Sequence, residues 1–146
     1  MKKYFALLMM LGLCVSGFAQ TTKARRADGT ECASLPCVVA SISLTDQTSP
    51  VSQVPLIVPG ADGLYRVTFY LESSHVKGSV WGISFNWTDD LRNWTTENYF
   101  ALAGTEYSWM LNLRALAGEP ISYTITRKNN PPGATYSLFV TVEQLQ

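Results

Sequence analysis

Val80-Trp81-Gly82-Ile83-Ser84-Phe85-Asn86-Trp87-Thr88 carries large apolar side chains at every odd position and, after Val80, small or polar ones at every even position. An extended chain sends successive side chains to opposite faces, so a period of two marks a β-strand with one dry and one wet face. The same period recurs on both sides of this stretch. From Leu64 to Glu72, Tyr65, Val67, Phe69 and Leu71 alternate with Arg66, Thr68 and Tyr70. From Thr105 to Leu116, Tyr107, Trp109, Leu111 and Leu113 alternate with Glu106, Ser108, Met110, Asn112 and Arg114. Ile121, Tyr123 and Ile125 mark another strand, and Tyr136, Leu138, Val140 and Val142 mark the last. Upstream, Val38, Ala40, Ile42 and Leu44 share one face of the first.

Turn chemistry separates these runs: Thr45 to Pro50, Gly60 to Gly63, Gly118-Glu119-Pro120, and Asn129 to Gly133. Val51 to Val58 contains Pro55 and precedes Pro59, and each proline removes a ladder donor, which confines the segment to an edge or an extended crossover. Seven or eight short strands in one domain predict an all-β fold, an antiparallel β-sandwich or jelly roll. Tyr65, Phe69, Trp81, Phe85, Trp109, Leu111 and Leu138 are the expected core. Residues 89–104 show no clean period and read as one long connection, the first place to look for function.

The N-terminus predicts export. Lys2 and Lys3 precede an apolar run from Tyr4 to Val15, and Ser16-Gly17-Phe18-Ala19 supplies small residues at the cleavage positions. This is the pattern of a signal peptide over 1–19, too short to span a bilayer. Cys14 follows Leu11-Gly12-Leu13, where bulky Leu13 disfavours a lipoprotein signal. Removing 19 of 146 residues leaves 127, one domain's worth, secreted to the periplasm or beyond the cell. Residues 20–37 read as a polar leader and 38–146 as the sandwich.

Lysine and arginine number 11 against 11 acids, and loss of Lys2 and Lys3 leaves a net charge near −2. Such a balance offers no basic patch for nucleic acid or an anionic membrane. Once Cys14 has left with the signal, Cys32 and Cys37 are the remaining thiols in an oxidising compartment and are expected to pair. So short a ring contributes about 2 kcal/mol and pins the leader to the domain.

No residue set composes a recognisable catalytic or cofactor site, and the chain reads as a non-enzyme. His75 is the sole histidine, and Ser73 and Ser74 beside it lack the strained elbow of a hydrolase nucleophile. Asp89, Asp90, Asn93 and Glu97 are hard oxygen donors of the kind calcium takes, but their spacing fits no known calcium loop, and a solvated acidic turn is the expectation. Asn86-Trp87-Thr88 and Asn93-Trp94-Thr95 have the form of glycosylation tripeptides; Asn86 and Thr88 read instead as two outward polar groups on one strand face, and the second tripeptide falls in the long connection. Flat aromatic faces stack on sugar rings, and Trp94, Tyr99 and Tyr70 fall outside the core phase, so a glycan platform would rest on these three. Met110, Leu116 and Phe139 stand on outward faces among Ser, Thr and Asn, as at a subunit interface or under a second packed sheet. The partners expected are further copies of the chain, an extracellular protein or a glycan.

Gly63-Leu64-Tyr65-Arg66-Val67 with Tyr70-Leu71, then Trp87-Thr88-Asp89, Gly118-Glu119-Pro120-Ile121-Ser122-Tyr123, and a terminal Tyr136-Ser137-Leu138 with Glu143 resemble small bacterial exported and phage-tail-associated β-modules. The glycine-tyrosine strand entry is similar to the jelly roll of the complement globular head and tumour necrosis factor group. The resemblance covers about residues 50–145. It implies a trimer-forming jelly roll used for assembly, adhesion or display, without catalytic residues. A polar leader stands where that group carries a stalk.

Overall fold

The computed structural model describes residues 32–129 and 131–146. The expected signal peptide over 1–19 and the leader up to residue 31 lie outside the described residues, as does Asn130. Among the described residues nine strands run in order: β1 Cys37–Gln47, β2 Val51–Ile57, β3 Gly63–Ser73, β4 Val80–Thr88, β5 Asn93–Thr95, β6 Tyr99–Leu102, β7 Glu106–Ala115, β8 Ile121–Asn129 and β9 Tyr136–Gln144. Among the described residues there is no helix long and apolar enough to cross a membrane.

Every strand pairing is antiparallel. One sheet has the order β1-β9-β3-β7, and the other has the order β2-β8-β4-β5 with β6 also on β4. Taking β5 and β6 as one interrupted strand gives two four-position sheets and a jelly-roll order. The fold is an all-β antiparallel sandwich of that type. Pro55 lies on β2, at a sheet edge, where a missing N–H is tolerated.

Alternation explains the core. Tyr65, Val67, Phe69 and Leu71 of β3, Trp81, Ile83 and Phe85 of β4, and Tyr136, Leu138, Val140 and Val142 of β9 are all buried between the sheets. Phe69 sits at the centre of an aromatic group, 5.2 Å from Phe85, 5.5 Å from Tyr99 and 6.1 Å from Tyr107 between ring centroids. Leu111 is half-buried against this core.

Three expectations differ from the structure. Trp109 is not core: it shares the inward face of β7 with Tyr107 and Leu111, yet 54% of its surface is exposed. β7 is the last strand of its sheet, so the inward side chain at its middle reaches past the cover of the opposite sheet. Val38 does not share the face of Ala40, because a register shift between Val38 and Ala40 exposes Val38 and buries Val39. Residues 89–104 are not one loop but hold β5 and β6. With β5 and β6 counted as one interrupted strand, the described residues hold eight strand positions, within the expected seven or eight.

Candidate functional site

The outer face of the four-stranded sheet collects Met110 and Phe139, the two residues that the sequence marked as interface. Reading in register across β1, β9, β3 and β7, one row holds Ser43, Phe139, Tyr70 and Ser108, and the next holds Ser41, Thr141, Thr68 and Met110. Neither row contains a charge. Phe139 is 41% exposed and Met110 is 49% exposed. Tyr70 and Phe139 pack ring to ring at 6.0 Å. Charges border the rows instead: Arg66 donates to Glu143 at 2.7 Å on one side, and Glu72 and Glu106 stand on the other. The Tyr70 hydroxyl donates to Glu106 at 2.5 Å, and this bond is the leading cause that pushes its pKa up to about 12. The result is a patch of aromatic, methionine and hydroxyl groups with a polar rim.

Trp94, Tyr99 and Tyr70 are not brought together. Tyr70 lies on that outer face. Tyr99, on β6, points inward and stacks on Tyr107 at 5.6 Å. Trp94, on β5, is half-buried beside Trp87 of β4, with ring centroids 6.0 Å apart and planes 10° apart. Its indole N–H donates to Asp89 Oδ2 at 2.6 Å, and the Arg92 guanidinium lies 3.8 Å from its ring centroid. A face already covered by a guanidinium is a poor surface for a pyranose.

The two Asn-Trp-Thr tripeptides pair with each other. Asn86 faces Thr95, Trp87 faces Trp94 and Thr88 faces Asn93 across an antiparallel hairpin. Thr88 donates to Asn93 Oδ1 at 2.9 Å and Thr95 donates to Asn86 Oδ1 at 2.8 Å, so both amides are engaged by the opposite threonine. With Gln53 and Glu119 they line an open polar cleft of about 300 Å³ on the outside of the second sheet. The sequence signal for this hairpin was the repeat itself, with Asp89-Asp90-Leu91-Arg92 between its copies.

The acidic residues are used locally. Asp89 Oδ1 accepts the N–H groups of Leu91 at 2.8 Å and Arg92 at 3.0 Å, and the Leu91 bond leads the causes that hold its carboxyl below the usual aspartate range. Asp90 pairs with Arg114 at 2.9 Å. No cluster of three or more histidine, cysteine, aspartate or glutamate residues forms a metal-type group among the described residues. Ser73, buried, shares a hydrogen bond of 2.9 Å with Ser79, and Ser74 accepts the Thr135 N–H at 3.0 Å. His75 stands exposed beside them. Cys32 and Cys37 are disulfide-bonded, with Cα atoms 6.2 Å apart, at the start of β1.

No protein-family model matches the chain, and no curated protein matches its sequence. Among solved structures it is similar to the Clostridium thermocellum endo-1,4-β-D-xylanase CBM22-1 and GH10 modules complexed with xylohexaose, at 12% identity and TM-score 0.42, covering 86% of this chain and 24% of that one. It is similar to the PRD1 vertex protein at 9% identity and TM-score 0.45, over 75% of this chain and 99% of that one. It is similar also to a protein of the Bacillus endospore appendages, described as disulfide-linked pili, at 13% identity and TM-score 0.41, over 80% and 97%. At these identities and TM-scores none of them assigns a ligand, an activity or a partner to this chain.

Proposed function

We propose that this protein is an exported, non-enzymatic assembly or adhesion subunit that works by protein contact through the outer face of its four-stranded sheet. The observation that carries the reading is the pair of adjacent charge-free rows holding Phe139, Tyr70 and Met110. Monomers rarely leave contiguous apolar patches open, and aromatic and methionine side chains are enriched where proteins meet. The engagement of Ser73, Ser74 and Asp89 in structural hydrogen bonds supports a role without catalysis. The motif resemblance to exported and phage-tail-associated modules, and to the complement-head group, supports assembly in the same direction. The trimer it implies is one outcome of the test.

Light scattering on the purified protein across a concentration series tests this reading. Association that Phe139→Glu weakens, with the thermal midpoint unchanged, is expected, because a carboxylate buried without a partner at the contact is costly. A protein that stays monomeric and binds no extracellular surface overturns it. The glycan alternative would require binding to immobilised polysaccharide that Trp94→Ala abolishes, and the scattered positions of Trp94, Tyr99 and Tyr70 argue against that outcome.

A further inference from the structure

Natural sheets protect their edges with bulges, prolines or breaks, because an open edge offers a row of unpaired N–H and C=O groups to another strand. Three of the four edge positions here are protected. β1 has register shifts at Val38/Ala40 and at Leu44/Gln47. β2 has two shifts and Pro55. The third edge is cut into β5 and β6. β7 is the exception: its register with β3 runs without a shift from Glu106 to Ala115, it contains no proline or lysine, and no other described strand pairs with it. The exposed Trp109 sits at its middle.

The hydrogen-bond phase of β7 is fixed by its neighbour. The Ser73 N–H donates to the Thr105 carbonyl at 3.0 Å, and in an antiparallel ladder such bonded pairs alternate with unbonded ones. Odd-numbered residues of β7 therefore turn their peptide groups toward β3. Glu106, Ser108, Met110, Asn112 and Arg114 turn theirs to the open edge.

We propose that the occupant of this edge is β7 of a second copy, joined antiparallel about a twofold axis at Met110. The sequence is self-complementary in that register. Met110 meets Met110, Ser108 meets Asn112, and Glu106 meets Arg114 of the other copy, all as bonded pairs that use the outward N–H and C=O groups. Opposite charges directly across a strand pair stabilise it, and both ends of the joint have them. On the inner face Trp109 falls opposite Leu111 of the second copy, in the unbonded type of pair whose side chains lie closer. The joint is isologous and closes at two subunits, and it merges the two four-stranded sheets into one. This deepens the assembly reading and rests on it.

Cross-linking and sedimentation test the register, with Cys14→Ser in every variant. Met110→Cys is expected to form a covalent dimer on oxidation, since bonded pairs bring Cα atoms within disulfide reach. Ser108→Cys alone is expected to give none, and Ser108→Cys with Asn112→Cys to give one. Arg114→Glu is expected to weaken the dimer several-fold, and Glu106→Arg with Arg114→Glu to restore it. The swap rebuilds only the contact between copies, because within one chain Arg114 pairs with Asp90 and Glu106 accepts from Tyr70. A monomer at every concentration overturns both this edge and self-assembly. An oligomer sensitive to Phe139→Glu but without the Met110→Cys cross-link overturns the edge alone and leaves the outer-face reading standing.

Discussion

The indole rings of Trp87 and Trp94 lie parallel across the β4–β5 hairpin, 6.0 Å apart, with Asp89 in the turn accepting the Trp94 N–H. The carboxylate also accepts the Leu91 and Arg92 N–H groups, so it ties the hairpin's turn to its aromatic pair. Such pairs add about 0.5–1.5 kcal/mol beyond the area they bury. Trp94→Ala is therefore expected to lower stability by about 2 kcal/mol in chemical denaturation, with little change in far-ultraviolet circular dichroism.

The same turn sets an acid limit. The Asp89 carboxyl is held below the usual aspartate range, first by the Leu91 N–H. A group with a lowered folded pKa contributes stability above its unfolded value, near 4, and that contribution disappears as the pH falls through the folded value. Tryptophan fluorescence is expected to be flat from neutral pH to the ordinary aspartate range and to change below it. Asp89→Asn should remove that acid step; an unaltered step in the variant would assign it to another carboxylate.

Phe69 and Trp109 are partners in the β3–β7 register, yet their environments are opposite. Phe69 is buried among Phe85, Tyr99 and Tyr107, whereas Trp109 is more than half exposed. Phe69→Ala should cost about 3–5 kcal/mol, a large share of the stability of a small domain. Trp109→Ser should cost well under half as much in the monomer. Denaturant titration of the two variants side by side checks the contrast, and equal losses would mean that Trp109 is packed in its own chain.

This contrast shows what the sequence could and could not reveal. Period-two alternation identified the six long strands and the outward placement of Tyr70, Met110 and Phe139, because the pleat alone decides which face a side chain takes. Alternation says nothing about where a strand lies within its sheet. Trp109 has the same phase as Tyr107, and only the position of β7 at an edge leaves it uncovered. Val38 was misplaced because a bulge adds one residue and reverses the phase before it. β5 and β6, of three and four residues, are too short to display a period. Of the two, only β5 left a trace in the sequence, through the repeated Asn-Trp-Thr whose copies pair with each other as a hairpin.

Tyr136 is a buried tyrosine of β9. Its ring is buried 4.7 Å from that of Trp81, and neither its hydroxyl nor the Trp81 indole N–H has a partner among the described residues. Burial pushes the Tyr136 pKa up to about 12. A raised folded pKa gives stability that is complete below the unfolded value, near 10, and is lost as the pH climbs through the folded one. Tyr136→Phe removes an unsatisfied buried hydroxyl and should be neutral or stabilising by about 1 kcal/mol at neutral pH. It should also reduce the loss of stability in strong alkali. A marked destabilisation at neutral pH would show that the hydroxyl has a hydrogen-bond partner after all.

Gly82 and Phe100 face each other across β4 and β6, and the missing Cβ of Gly82 makes room for the ring. A methyl group at Gly82 would stand 2.7 Å from Phe100 Cε1 and 2.8 Å from Thr126 Oγ1, closer than real contacts allow. The glycine thus lets the phenylalanine ring approach the backbone of β4, which compensates a residue that otherwise weakens a strand. Gly82→Ala is expected to cost about 1–3 kcal/mol by overpacking. Because Phe100 is partly exposed and can swing outward, Phe100→Ala should cost less on its own and should recover much of the loss when combined with Gly82→Ala. A double-mutant cycle measures this coupling. Additive losses would show that the ring does not rest on the glycine.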